Sequence, residues 1–337
     1  MSVISEILGE RGWLLADGAT GTNLFDIGLE AGEAPELWNA DAPEKVVAVY
    51  ESAVNAGSDL FLTNSFGGTA ARLKLHNAEG RVRELNEKAA RLGRKVAEAA
   101  GRPVIVAGSV GPTGELLEPV GTLTEADATE LFADQIEGLL EGGADVIWVE
   151  TISSAEEFRA AAAAAARFDA PWCGTMSFDT AGRTMMGVTA PDMVALVNGL
   201  QHAPLAFGAN CGTGASDLLR TILGFQNAGA ALPIIAKGNA GIPKFVCGHV
   251  HYDGTPELMG DYAVLARDCG ASIIGGCCGT RGKHLTEMKR RLVEDPKATA
   301  PSLELIQQRL GPFTSAADGT ESTADAAPTR QRRRRRG

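Results

Sequence analysis

Residues 142–151 read GGADVIWVET. Two glycines close a helical stretch, an aspartate follows, and a short, almost wholly apolar run ends on the polar pair Glu150-Thr151. A run this short and this continuously apolar predicts a strand covered on both faces rather than one with a wet side. Upstream, 125–140 has helical period; downstream, so does 155–167. The αβ loop uses glycine where a helix ends in left-handed backbone and the chain enters a strand.

Working outward, the same unit recurs. Apolar runs fall at 13–19, 59–65, 104–110, 145–151, 172–178, 205–211, 233–239 and 272–278. Helical stretches follow at 44–56, 82–100, 125–140, 155–167, 192–200, 215–227, 257–267 and 283–293. Eight strand–helix units in a chain of 337 residues predict an α/β fold, a (β/α)8 (TIM) barrel, rather than an open doubly wound sheet. Aromatic residues make up only 5%, with 41 glycines, which suits helices packed closely on strands better than a β-sandwich. The amphipathic segment 301–314 predicts a last helix. Beyond Ser315 nothing apolar is larger than alanine, so the domain reading is a barrel over 1–314 and a disordered, Arg-rich tail over 315–337.

The net charge of −11 averages two unlike parts. Six arginines lie in 330–337; without 315–337 the chain keeps 25 basic against 39 acidic residues, a net of −14. So acidic a body does not bind nucleic acid through its general field. The arginine run is read as a solvated tail, the alternative being weak, salt-sensitive binding to RNA, DNA or an acidic protein. No stretch approaches the roughly 20 apolar residues of a membrane span. The first twelve residues carry Glu6, Glu10 and Arg11 and show no signal peptide. A cytoplasmic location with reduced cysteines is expected.

Chemistry in such barrels sits at the C-terminal ends of the strands. Those ends carry Asp17, Asn64, the 109–114 loop, Glu150, Ser177, Asn210-Cys211, Asn239 and Cys277-Cys278. Adjacent residues on a strand point to opposite sides. The glycines of GGCCG (275–279) are therefore expected to let the backbone bulge so that both thiols aim at one point with Cys211. Three thiolates with one exchangeable place form a reactive zinc site. Cys173 and Cys269 are read as core residues. Cys247, His249 and His251, in the loop after the seventh run, have no assigned role. A rival reading treats GNAG (238–241) and GGCCG as a phosphate cradle, which leaves the three cysteines unexplained.

From about Trp13 to Leu292 the sequence resembles the zinc-dependent homocysteine S-methyltransferases. This group includes betaine–homocysteine methyltransferase and the homocysteine-binding module of cobalamin-dependent methionine synthase. The resemblance rests on DGATGTNL (17–24), PELWN (35–39), TNSFGGT (63–69), GSVGPTG (108–114), Glu150-Thr151, GANCGTG (208–214), GNAGIP (238–243) and GGCCGT (275–280). It implies Zn2+ held by Cys211, Cys277 and Cys278. It places the homocysteine ammonium on Asp17 and Glu150 and its carboxylate on the Gly18 and Ala19 N–H groups, and it counts Asn210, beside the first ligand, among the substrate-binding residues. The implied reaction forms methionine by in-line displacement of a methyl group onto a zinc-bound thiolate, where positioning matters more than acid–base help. An all-thiolate site leaves electron density on the bound sulfur, which favours alkylation over water activation. Gly67 stands where the betaine enzymes carry an aromatic residue, and their long C-terminal extension is missing. The donor expected is therefore methylcobalamin on a partner protein, with betaine as the alternative.

Overall fold

The computed structural model describes residues 3–242, 244–246 and 249–320, with backbone alone at 244–246 and 249–251. Seven barrel strands come first: β1 (Leu14–Leu15), β2 (Leu60–Leu62), β3 (Ile105–Val110), β4 (Val146–Ile152), β5 (Trp172–Met176), β6 (Ala206–Cys211) and β7 (Ile234–Gly238). A small hairpin, β8 (Lys244–Val246) and β9 (His249–His251), precedes the eighth barrel strand, β10 (Ala271–Gly276). The barrel strands are parallel, in the order β1-β10-β7-β6-β5-β4-β3-β2. A parallel bridge from Ala16 to Leu60, and the Asp59 N–H donating to Leu15 O at 2.7 Å, join the two ends. The sheet is a closed (β/α)8 barrel, and all eight apolar runs are its strands.

Helix α1 (Val3–Arg11) precedes the barrel, and α2 (Thr20–Asp26) and α3 (Trp38–Asp41) fill the long first connection before α4 (Pro43–Asn55). The short α5 (Ala70–Leu73) leads into α6 (Val82–Ala99), followed by α7 (Glu125–Glu141) and α8 (Ala155–Arg167). Then come α9 (Ala190–Asn198), α10 (Ala215–Asn227), α11 (Pro256–Asp268), α12 (Gly282–Glu294) and α13 (Leu303–Leu310). Side-chain caps start several of them: Ser154 Oγ accepts from Glu157 N–H at α8, and Thr189 with Asp192 forms a capping box at α9.

Apolar runs with no visible alternation still have two faces. Leu14, Leu60, Leu62, Ile105, Ala107, Val146, Trp148, Cys173, Ala206, Ile235 and Ile273 fill the barrel interior. Their neighbours Leu15, Phe61, Val106, Ile147, Trp172, Phe207, Ile234 and Ile274 face the helices. Ile4, Ile7 and Leu8 of α1 close the interior at the strand N-termini. The acids that follow the αβ-loop glycines stitch strand starts together: Asp59 accepts from Leu15 N–H and pairs with Arg11, and Asp145 accepts from Val106 N–H.

The chain is described past the expected end of the barrel domain. Ser315 O accepts from Arg220 Nη1 at 2.9 Å, and residues 318–319 lie against Gly182, where an added Cβ would meet the Asp318 carbonyl carbon at 2.2 Å. The arginine run lies outside the described residues, as does Cys247. His249 and His251, expected in a loop, belong to the antiparallel β8–β9 hairpin, with Val246 opposite His249 and Lys244 opposite His251.

Candidate functional site

Continuing along the inward positions, each strand turns polar at its C-terminal end: Ser109 on β3, Glu150 on β4, Thr175 on β5, Asn210 on β6 and Lys237 on β7. All five are buried. Cys211 ends β6, while Cys277 and Cys278 follow Gly276 at the end of β10. The three Sγ atoms all lie within 4.8 Å of one another, with Cys211 and Cys278 at 3.9 Å.

The expected bulge in GGCCG is absent. The register irregularity of β10 falls at its other end, between Ala271 and Ile273. The chain instead leaves the strand after Gly276 and turns: Thr280 N–H donates to Cys277 O at 3.1 Å, with Gly279 at φ +78°. Strand alternation therefore does not apply to Cys277 and Cys278. The glycines before them serve close approach: a Cβ on Gly275 would meet Ala16 Cβ and Asp17 O at 2.9 Å, and one on Gly276 would meet Thr280 Oγ1 at 2.2 Å. No anion cradle is needed to explain them.

Cys211 adopts φ +61° and Thr151 φ +62°, left-handed conformations uncommon outside glycine. Asn210 ties both corners together. Its Oδ1 accepts from Thr151 N–H (2.9 Å) and Thr175 Oγ1 (2.7 Å), and its Nδ2 donates to Thr151 Oγ1 (2.7 Å) and approaches Cys277 Sγ (3.8 Å). Fully buried, Asn210 orders the thiol cluster from beneath and does not line the cavity above it.

The thiols share protons among themselves. Hydrogen bonds to Cys277 and Cys278 push the Cys211 thiol up. Cys277, although it accepts from Cys211, is held up at about 12 by Cys278 and burial, and Cys278 is drawn down to about 3 by accepting from both. The Tyr252 hydroxyl also hydrogen-bonds Cys278. Sulfurs this close can surround one ion, and an all-thiolate set suits a soft divalent metal such as zinc. Next to the cluster, Asn239 donates to Gly212 O at 2.9 Å, while its buried Oδ1 has no partner among the described residues.

Above the thiols lies a cavity of about 340 Å3. Gly18, Ala19, Glu150, Lys237 and the three cysteines line its inner part; Glu33, Glu36, Phe66, Arg72, Leu75 and His76 line the rest. Burial raises the Glu150 carboxyl to about 7, against the pull of Lys237; its Oε1 accepts from Ser109 Oγ at 2.6 Å. Asp17 does not reach the cavity wall. Its Oδ1 takes Lys237 Nζ at 2.5 Å and its Oδ2 takes Leu62 N–H at 2.8 Å. Burial opposes charge on Lys237, but Asp17 and Glu150 outweigh it and hold the ammonium protonated.

Cys173 lies in the barrel interior and Cys269 in the core between helices and strands. Lys237, Glu36, Arg72 and Tyr252 escape a reading by strand ends and motifs. Lys237 had a visible signal, a lone charge inside the apolar run PIIAKGN (233–239). Glu36 had none, because only folding brings its Oε1 to Gly67 N–H, at 2.6 Å.

A closed barrel with three thiols at its strand C-termini defines the class: the chain belongs to the homocysteine S-methyltransferase family, which matches residues 14–292. Among individual proteins, it is 28% identical over 299 residues to methionine synthase of Mycobacterium tuberculosis, covering 84% of this chain and 25% of that protein. For methionine synthase of Mycobacterium leprae the figures are 27% over 312 residues, 88% and 26%. The chain thus spans about a quarter of the length of these curated relatives. It covers 99% of the Escherichia coli homocysteine methyltransferase MmuM, with 86% of this chain aligned: the oxidized form gives a TM-score of 0.73 at 25% identity. The metallated form gives 0.69 at 26%.

Proposed function

We propose that this chain methylates homocysteine to methionine at a zinc centre held by Cys211, Cys277 and Cys278. The observation that carries the reading is the convergence of three sulfurs within 4.8 Å at the floor of a cavity. The metallated form of MmuM supports a metal here. When bound, zinc supplies a Lewis-acidic centre that keeps a thiol deprotonated at neutral pH.

The chain's own groups bind and orient. Glu150 faces the cavity with one oxygen engaged by Ser109 and the other available to an ammonium. Gly18 and Ala19 line the same cavity, and their N–H groups would serve a carboxylate. Asp17 acts through Lys237, and Asn210 fixes the positions of Cys211 and Cys277. The reaction asks for alignment rather than proton transfer at the methyl carbon, so rigid placement on strand ends is the main contribution. We place the chain in the cytoplasm, where these thiols stay reduced; among the described residues no helix is long and apolar enough to cross a membrane.

For the donor, Phe66 is the one Phe, Tyr or Trp among the described residues that line the cavity. Trp38 lies outside it, with Lys45 Nζ 4.1 Å above its ring. A quaternary ammonium is held best by several aromatic faces. This favours a methyl group presented at the mouth by methylcobalamin on a partner protein. Betaine is the second reading, and Glu36 supports it: a buried carboxylate whose Oε1 occupies the space beside Gly67, 3.1 Å from where a Cβ would sit. Zinc-loaded protein given homocysteine with methylcobalamin or with betaine decides between them. Methionine from neither, with zinc bound, would remove the reading.

A further inference from the structure

Lys237 is 1% exposed, yet the described residues use only part of its hydrogen-bonding capacity. An ammonium carries three donors. One meets Asp17 Oδ1, and no other acceptor among the described residues takes a hydrogen bond from Nζ. The remaining donors belong to a group that lines the same cavity as Gly18, Glu150 and Cys277, with the ring of Trp148 5.6 Å away. Desolvating an ammonium without filling its donors is costly, so an empty donor on a cavity wall points to an acceptor that arrives with the ligand.

An α-amino acid brings one carboxylate and one ammonium on the same carbon. The wall offers the complementary pair. Glu150 lines the same cavity as Lys237, and its charge is felt at the ammonium. Asp17 has one oxygen engaged by Lys237 and the other by Leu62 N–H, and it does not line the cavity where a substrate ammonium would sit.

We propose that Lys237, held in place by Asp17, binds the carboxylate of homocysteine, with Glu150 taking the ammonium. The inference rests on homocysteine being the acceptor. It adds a charged anchor to the Gly18 and Ala19 N–H groups and makes Asp17 a positioning residue rather than a substrate contact. It also makes this site selective for acceptors that carry a carboxylate, because an uncharged end would leave the Lys237 donors buried and unmet.

The test uses the zinc-loaded full chain, the donor it accepts, and two acceptors: homocysteine and 3-aminopropane-1-thiol, which lacks only the carboxylate. Lys237→Met is expected to raise the KM for homocysteine by about 10- to 100-fold, the span of one charge-assisted hydrogen bond. It should leave the KM for the aminothiol within about twofold. Because Lys237→Met strands the Asp17 charge, the double variant Asp17→Asn/Lys237→Met, which removes both charges together, is measured beside it. It should show the same selective loss with intact zinc content. Equal losses for both acceptors in the double variant would overturn the proposal, since Lys237 would then serve the thiolate or the fold. So would an unchanged homocysteine KM. Absence of methylation of either acceptor by the unmodified chain would instead count against the parent reading.

Discussion

Removing the Asn210 side chain tests whether the thiol cluster is organised from beneath. The amide is fully buried and makes three hydrogen bonds of 2.7–2.9 Å to Thr151 and Thr175, besides its approach to Cys277 Sγ. A neutral hydrogen bond contributes about 1 kcal/mol net, and a buried group left without a partner costs about 1–3 kcal/mol. Asn210→Ala leaves the Thr151 N–H and the Thr175 hydroxyl in need of partners. Relaxation of the left-handed Thr151 returns about 1 kcal/mol. The balance is a loss of about 3 kcal/mol, which at a urea m-value of about 3 kcal/mol/M moves the unfolding midpoint of the metal-free protein down by about 1 M. The same change frees Cys211 and Cys277 from their fixed positions. Zinc affinity, measured by competition with a chromophoric chelator, is expected to fall about 10-fold or more, as for other groups that orient metal ligands. At saturating zinc, the homocysteine KM should stay near that of the unmodified chain. A midpoint within 0.3 M of the unmodified protein, about 1 kcal/mol by the same m-value, together with a raised homocysteine KM, would refute the argument and make Asn210 a substrate contact.

Cys278→Ser should lower zinc content from about one per chain to near zero after dialysis, by elemental analysis, and abolish methionine formation, because two thiolates do not complete the donor set. Glu150, raised to about 7 by burial, is a proton-binding group in the native state. The homocysteine KM should therefore rise as pH falls below about 7, and Glu150→Gln should flatten that profile. The unfolded chain releases this proton near 4.5, as an ordinary glutamate does, so the contribution of Glu150 to stability declines as pH rises from there toward 7, and the unfolding midpoint of the substrate-free protein should show it. Ending the chain after Thr320 should leave both activity and melting temperature unchanged, whereas ending it after Thr314 should lower the melting temperature by removing Ser315 from Arg220 and 318–319 from Gly182.

The barrel was legible because each strand is covered on both faces and so must be apolar throughout; eight such runs with helical stretches between them leave few other folds. The three thiols were legible because cysteine pairs framed by glycine at a strand end are rare chemistry. What alternation within those runs meant was hidden. Leu14 and Leu15 read alike in sequence, and only closure of the sheet sends one to the interior and the other to the helices. The device that aims Cys277 and Cys278 was misread as a bulge, since local pattern does not distinguish a strand that buckles from one that stops. The roles of Asp17 and Lys237 lay further still from view. They are 220 residues apart in the chain, and a carboxylate's partner is set by which strand ends the barrel brings face to face. By itself, the sequence determined the barrel and its three sulfurs, through composition and local spacing. Which charges line the cavity and which face each other was decided by the tertiary structure alone, because charge pairing depends on distance in space.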